Sequence, residues 1–204
     1  LGDVYKRQVY EIVAAEDIIT PDGTARNTKG EVVDTVTTDE NGVATSRELY
    51  LGKYEVREVT APHGMVLNPE PHSVELVYAG QSIAVTETAT SFENERQKAE
   101  ISLEKSIEQN DTFGIGANGE MKNISFGMFA AEEIVSTSGT SIPADGLIEI
   151  IALNEDGTAT VKTDLPLGSY YVKELATDSH YILSDTKYPV VFEYAGQDTA
   201  VVKI

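Results

Sequence analysis

Two glutamates, Glu58 and Glu174, are the residues of this 204-residue chain whose setting most suggests chemistry. Each ends the pattern Gly-x-Tyr-x-x-x-Glu, which starts at Gly52 and again at Gly168. A pair of carboxyl groups can hydrolyse glycosides when the two lie within about 10 Å of each other. These two glutamates are 116 positions apart, at matching places of an internal repeat, so we assign them to separate domains. A glycosidase pair is therefore rejected.

Other patterns that could suggest an enzyme or a cofactor site lack the required context. Residues 114–119 spell Gly-x-Gly-x-x-Gly, but a dinucleotide fingerprint needs a strand before it and a helix after it, and here we predict a loop between two strands. His63, His72 and His180 have no metal-ligand spacing. We therefore predict no cofactor and no metal. Since no set of nucleophile, base and orienting group is visible, we do not predict an enzyme.

The repeat itself is the main organisational feature of the sequence. Residues 54–58 (Tyr-Glu-Val-Arg-Glu) recur as residues 170–174 (Tyr-Tyr-Val-Lys-Glu), an offset of 116. The tetrapeptide Tyr-Ala-Gly-Gln occurs at residues 78–81 and, with the same offset, at residues 194–197. Two matches at one offset predict two similar domains in tandem.

We place the boundary between the domains near Gln97, which gives a first domain of residues 9–97 and a second of residues 98–204. Residues 1–8 do not share the alternation of apolar and polar residues that follows. We interpret them as a non-native leader and exclude them from the fold.

Short segments rich in Val, Ile, Thr and Tyr, separated by turn residues, predict β-strands throughout each domain. In the first domain these segments are residues 9–13, 31–37, 54–59, 74–78 and 83–88. Regular short strands without a long amphipathic helix indicate an all-β chain. We expect two tandem immunoglobulin-like β-sandwich domains.

Composition excludes several classes of partner and of covalent link. A formal net charge of −19 disfavours binding to nucleic acid or to an anionic membrane. The absence of cysteine excludes disulfides and zinc thiolate sites. No apolar run reaches the roughly 20 residues of a membrane span, so no membrane insertion is predicted for this fragment.

The motifs together resemble the CnaB or SpaA-type prealbumin-like domains of Gram-positive pilins and collagen-adhesin stalks. The signature of that family is a Gly-x-Tyr-x-x-x-Glu strand followed by Ala-Pro-x-Gly-Tyr. Residues 52–65 match it, with Met65 in place of the last tyrosine. Residues 168–174 match its first half, and the sequence then diverges at residues 176–181.

The resemblance implies a covalent staple. In such domains a lysine of the first strand condenses with an asparagine of the last strand and releases ammonia, while a catalytic glutamate promotes this single step. By position, the lysine is Lys105, the asparagine is Asn94, and the glutamates are Glu58 and Glu174. A dry core suits this chemistry because burial favours an uncharged amine and an uncharged carboxyl group. We therefore expect Glu58 and Glu174 to point into their cores and Lys105 to make a polar contact with Glu174.

The repeat offset separates these reactants, since Asn94 belongs to the first domain and Lys105 to the second. It places the lysine of the first domain before residue 1 and the asparagine of the second six residues beyond Ile204. We therefore expect a missing first strand in one domain and an incomplete last strand in the other. Lys6 is too close to the next strand to substitute. No intramolecular isopeptide bond is expected in this fragment.

The predicted function is that of stalk repeats in a Gram-positive surface adhesin or pilin-like protein. The resemblance implies an extracellular, wall-anchored location, with the signal and the anchor outside this fragment. Expected partners are neighbouring repeats and, through other domains, host matrix or glycan. The alternative is a β-sandwich module that itself binds carbohydrate or a host protein; exposed aromatic side chains on one edge or loop cluster favour that alternative.

Overall fold

A computed structural model describes residues 7–135 and 139–204. Lys6 and the remainder of residues 1–6 lie outside the described residues. The chain forms two compact units, one reaching to Arg96 and including residues 196–198, the other comprising Gln97–Ala195 and Thr199–Ile204. Both are β-sandwich units, as the sequence predicts.

The first unit is built on one four-stranded antiparallel sheet in the order β4-β1-β5-β6, beside a short β2-β3 hairpin. Its strands are β1 (Val9–Ala14), β2 (Ile18–Ile19), β3 (Ala25–Asn27), β4 (Val32–Thr37), β5 (Gly52–Thr60) and β6 (His72–Leu76). Val, Ile, Thr and Tyr recur in these strands because they pack well on a pleated surface.

The second unit repeats this sheet as β12-β9-β14-β15 and adds three two-stranded ladders: antiparallel β8-β13, parallel β7-β16 and antiparallel β10-β11. Its elements are β7 (Lys98–Glu100), β8 (Ser102–Glu104), a 3₁₀ helix (Glu120–Asn123), β9 (Ser125–Ala130), β10 (Ile134–Val135), β11 (Ser141–Ile142), β12 (Leu147–Ala152), β13 (Thr158–Thr160), β14 (Gly168–Ala176), β15 (Lys187–Phe192) and β16 (Val201–Lys203). In the described residues, no helix is long and apolar enough to cross a membrane.

The Gly-x-Tyr motif has the same packing role in both units. A Cβ atom on Gly52 would lie 2.5 Å from Cδ1 of Ile18, and one on Gly168 would lie 2.9 Å from Cδ1 of Ile134. The following tyrosines are each about 1 % exposed, and each donates its hydroxyl to a main-chain oxygen four residues upstream. The motif therefore fixes the start of the central strand against the core.

The two cores differ in size. Among the described residues, eleven buried apolar residues form the core of the second unit, whereas five form that of the first. Part of the difference comes from β7, β8 and the residues between them, since Ile101 is 4 % exposed and Leu103 packs against the same core. The described part of the first unit has no strand at the corresponding place.

Four of the five predicted strands of the first domain are found, at β1, β4, β5 and β6. The prediction of a strand at residues 83–88 was wrong. The matching segment of the second unit is β16, which is a strand because it pairs with β7. In the described residues, no partner strand pairs with residues 83–88, so the ladder does not form.

Candidate functional site

Glu58 lies in the core of the first unit, near the end of β5 and opposite Tyr10 of β1. Its Oε2 accepts hydrogen bonds of 2.7 Å from the Asn68 main-chain N–H and 2.7 Å from Asn94 Nδ2. Its Oε1 accepts bonds of 3.3 Å from Gln8 Nε2 and 3.4 Å from the Tyr10 hydroxyl. The carboxyl group is thus buried and bonded at both oxygens, which confirms the prediction that it points inward.

Asn94 is held against Glu58 by the segment around it. Its Nδ2 also donates a hydrogen bond of 3.0 Å to the Val66 carbonyl oxygen, and this bond fixes the orientation of the side-chain amide. Two residues earlier, the Phe92 ring stacks on His72 at a centroid distance of 3.9 Å and contacts Tyr10 at 4.9 Å. These contacts anchor the chain that precedes the Asn94 carboxamide.

Gln8 is the residue of this site that sequence reasoning missed. It is 5 % exposed, and its Nε2 lies 2.9 Å from Asn94 Oδ1 in addition to its bond with Glu58. Its main-chain N–H donates a hydrogen bond of 3.0 Å to the Thr38 hydroxyl oxygen. Excluding residue 8 from the fold was therefore wrong, since Gln8 continues the inward-facing alternation of Tyr10 and Ile12. The origin of residues 1–8 stays a prediction.

Glu174 has the matching position in the second unit, near the end of β14 and opposite Phe126 of β9. It is 2 % exposed, which confirms its predicted burial. Its Oε2 accepts a 2.8 Å hydrogen bond from the Ser184 main-chain N–H. Its Oε1 lies 3.3 Å from Lys105 Nζ, at ion-pair distance but without an aligned hydrogen bond. The predicted contact between Lys105 and Glu174 is therefore present.

Lys105 follows β8 directly and is positioned by the turn before β13. Its main-chain N–H donates a hydrogen bond of 2.9 Å to the Gly157 carbonyl oxygen. Gly157 has a φ of +84°, and a Cβ atom there would lie 2.2 Å from the Lys105 carbonyl oxygen. Only glycine fits this close approach, so the turn at Asp156-Gly157 also fixes the position of Lys105.

The two sites share a frame, which consists of the buried glutamate and a main-chain N–H donor ten residues after it. They differ in the side chain that could react. Asn68 and Ser184 are 116 positions apart, and both donate a main-chain N–H to the buried glutamate. The first unit supplies an asparagine to this frame, and the second supplies a lysine. Within the described residues, Glu58 contacts an asparagine but no lysine, and Glu174 contacts a lysine but no asparagine.

The environment of the first site is dry enough to change the acidity of a neighbour. Burial, reinforced by the nearby Glu58 charge and hydrogen bond, raises the pKa of Tyr10 to about 12. A carboxyl group that reaches an amine and a carboxamide in such surroundings can pass a proton between them. A buried carboxyl group that lies beside both an amine and a carboxamide therefore suits a single condensation between those two groups.

The other patterns from the sequence serve the local structure. His180 Nδ1 lies 2.6 Å from Asp178 Oδ1, and Asp178 Oδ2 accepts a hydrogen bond of 2.6 Å from Asn123 Nδ2. The glycine-rich loop at residues 114–119 surrounds Glu120, whose carboxylate accepts the main-chain N–H of Gly116 at 2.9 Å. Neither loop has the strand and helix of a nucleotide site. In the described residues, no cluster of acidic and histidine side chains could hold a metal ion.

Comparison with known families decides what this duplicated frame is. The family described as "SpaA: Prealbumin-like fold domain" matches residues 8–91 and 115–204, one stretch in each unit. The chain belongs to the SpaA prealbumin-like fold domain family. The resemblance seen in the sequence is thereby confirmed, and Glu58 and Glu174 lie at matching places in the two repeats.

Similar proteins include a streptococcal surface protein and two solved structures. The "Trypsin-resistant surface T6 protein" of Streptococcus pyogenes serotype M6 is 32% identical over 75 residues, which cover 36% of this chain and 14% of that protein. The solved "Bacillus anthracis TIE protein" is 21% identical with a TM-score of 0.56, covering 99% of this chain and 30% of that one. A streptococcal ancillary pilin is 20% identical with a TM-score of 0.33, covering 97% and 56%. The chain thus spans less than a third of the first two proteins.

Proposed function

We propose that this chain is a structural segment of a Gram-positive cell-surface stalk of the pilin or adhesin type. The observation that carries the proposal is the duplicated frame, in which Glu58 and Glu174 are buried at matching places and accept matching main-chain N–H groups. One frame holds an asparagine and the other a lysine. The family match and the surface location named for the relative T6 protein support the same assignment.

The chemistry proposed for a complete frame is a single intramolecular condensation. A neutral lysine Nζ attacks the Cγ atom of the asparagine, the new C–N bond forms, and the old bond to Nδ2 breaks. The glutamate carries a proton from the amine to the departing nitrogen, which leaves as ammonia. The reaction needs no oxidant, no metal and no cofactor. Glu58 and Glu174 are the proposed promoters, with Asn94 and Lys105 as one reactant in each unit.

Such a bond suits a stalk because it ties the first strand of a domain to its last. Treated as a cross-link that closes a loop of about 100 residues, it stabilises the folded unit by roughly 4 to 5 kcal/mol. Unlike a disulfide, it persists under reducing conditions. A chain without cysteine thereby gains a covalent restraint from ordinary side chains.

The proposed setting is extracellular, in a protein attached to the cell wall, with neighbouring repeats as partners. The acidic surface fits this setting, since a net charge of −19 keeps a crowded surface protein soluble. A binding module needs exposed aromatic side chains in one cluster. Among the described residues, the most exposed aromatic side chains are those of Tyr78 and Phe113, which lie in different units, so these aromatics do not favour the second function.

Antibody labelling of intact cells tests the proposed location and role. Cells that express the gene should bind an antibody against this chain without permeabilisation, and digestion of the cell wall should release the antigen in a form that resists boiling in reducing detergent. Deletion of the gene provides the control. Antigen that becomes visible only after lysis would contradict the proposal.

A further inference from the structure

The four-stranded sheet of the second unit has apolar side chains on the side opposite its core. Side chains alternate along a strand, so the residues between the core residues of β9, such as Phe126 and Met128, point away from the core. Directly paired residues of neighbouring strands lie on the same side of a sheet. We call this surface the apolar face, and its residues are Phe129, Leu147, Ile150, Tyr171, Leu175 and Val191.

The middle of the apolar face is closed by side chains that meet over a glycine. A Cβ atom on Gly127 would lie 2.6 Å from the Phe129 ring and 3.0 Å from a methyl carbon of both Leu147 and Leu175. The rings of Phe129 and Tyr171 stack at a centroid distance of 5.1 Å. Because these side chains cover the glycine, they form one continuous apolar surface.

The apolar face is open to solvent. The side chain of Ile150 is 64 % exposed, and those of Leu147, Val191 and Leu175 are 49 %, 49 % and 37 % exposed. Single exposed apolar residues are ordinary, whereas a contiguous patch marks a surface that contacts another molecule.

The first unit shows that the fold does not require this face to be apolar. Three residues of the apolar face, Tyr171, Val191 and Ile150, have polar counterparts at the matching places of the first sheet, which are Glu55, Glu75 and Thr35. The sheet forms with either set. The apolar set therefore serves a contact that the first unit lacks.

The rim of the apolar face carries equal numbers of positive and negative groups. Lys173 and Lys187 lie directly opposite each other on β14 and β15, which is unfavourable for like charges unless they are neutralised. Lys187 Nζ lies 2.8 Å from Asp145 Oδ1 and 4.2 Å from the centroid of the Tyr171 ring. Lys173 Nζ lies 3.1 Å from Asp185 Oδ1. In a chain with a net charge of −19, repulsion between copies is weakest where the surface is balanced in this way.

We propose that the apolar face of the second unit binds the same face of a second copy of this chain. A two-fold axis brings the two apolar surfaces together, and two sheets can pack face to face in this manner. The axis also brings Lys173 and Lys187 of one copy near the exposed aspartates of the other, so the rim is complementary to itself. The charged face of the first unit is a poorer partner, because its side chains would lose water against apolar groups. This self-association goes beyond the proposed stalk role and does not depend on an isopeptide bond.

The size of the apolar face sets the strength of the contact. Four strands about 4.8 Å apart and about 20 Å long cover an outline of about 400 Å², whereas a stable interface buries about 800 Å² on each partner. We therefore expect a weak, reversible dimer with a Kd on the order of 100 μM. Such a contact gains strength where neighbouring copies are held at a high effective concentration.

Sedimentation equilibrium of the full chain, from tenfold below to tenfold above that concentration, tests the proposal. The unaltered chain should show a monomer–dimer equilibrium. The double variant Ile150→Thr, Val191→Thr should dimerise at least tenfold more weakly, because it removes apolar groups from the face. The double variant Ile19→Thr, Val85→Thr is the matched control, since these side chains are 61 % and 57 % exposed but lie in the first unit. Thermal unfolding shows that each variant is folded.

Hydroxyl-radical footprinting of the same samples locates the contact. Oxidation of Leu147, Ile150 and Leu175 should fall as the chain concentration rises, while oxidation of Ile19 and Phe113 stays constant. A chain that remains monomeric over the whole range would overturn the proposal, as would equal dimerisation of the two double variants. Growth into species larger than a dimer, with protection in the first unit, would also overturn it, because the partner surface would then be a different one.

Discussion

Lys105 Nζ and Glu174 Oε1 lie 3.3 Å apart, with the glutamate side chain 1 % exposed and the lysine side chain 29 % exposed. The pair joins the residue after β8 to the central strand β14. A polar group this deep in a core has lost its contacts with water and is stabilised by its remaining hydrogen-bond and charge partners. The second unit therefore depends on Glu174 for its stability as well as for the proposed chemistry.

Replacing Glu174 with alanine should destabilise the second unit by about 2 kcal/mol, because Lys105 and the Ser184 N–H lose their partner. Hydrogen exchange followed by mass spectrometry resolves the loss, since it reports on each unit of the full chain separately. Glu155→Ala is the matched control, as its side chain is 82 % exposed in a surface ion pair with Lys122. The control should leave the stability of the second unit nearly unchanged, because exposed ion pairs contribute little. Equal effects of the two substitutions would contradict the proposed role of Glu174 in stabilising the second unit.

Glu58→Ala should destabilise the first unit by about 3 kcal/mol, because four donors converge on its carboxylate and two of them are buried side chains. Glu55→Ala on the same strand is the control, since Glu55 pairs with Arg57 at the surface. Amide hydrogen-exchange rates in residues 9–60 measure the stability of the first unit in each variant. A loss confined to the second unit, or no loss at all, would contradict the proposed role of Glu58 in the core.

The burial of both glutamates could be predicted because the repeat supplied two copies of one pattern. The main-chain donors of Asn68 and Ser184 could not be, since any residue type offers the same N–H group. Gln8 was missed because residues 1–8 were excluded, although its spacing from Tyr10 and Ile12 matches one face of a strand. Residues 83–88 have a strand composition without a strand structure, which shows that pairing outweighs propensity.

Gly157→Ala should destabilise the second unit by about 2 kcal/mol, since its Cβ atom would approach the Lys105 carbonyl oxygen at 2.2 Å and displace β8. Gly80→Ala is the control, because Gly80 also has a positive φ, +104°, but has nothing within 4 Å of an added Cβ atom. The control isolates backbone strain from the clash. Equal losses in denaturant titrations of the two variants would show that contact with Lys105 contributes nothing.

Alkaline pH should weaken both units between about pH 10 and pH 12. Burial raises the pKa of Tyr10 to about 12 with help from Glu58, and burial with the charge of Glu132 raises the pKa of Tyr170 to about 12. The unfolded chain releases these protons nearer pH 10, so stability is full below that pH and falls as pH rises. Tyr10→Phe, which copies Phe126, should reduce the pH dependence in the first unit only. An unchanged dependence would contradict the pKa assignment.

The central claim, that the frame around Glu174 joins Lys105 to an asparagine, has a direct test within this sequence. Residues 89–97 copied after Ile204 place a second copy of Asn94 at position 210, where the repeat offset expects an asparagine. Intact-mass spectrometry of the extended chain should show the loss of one ammonia, and the loss should disappear with Lys105→Arg or Glu174→Ala. A full, unmodified mass in an extended chain whose last strand is protected from hydrogen exchange would contradict the claim.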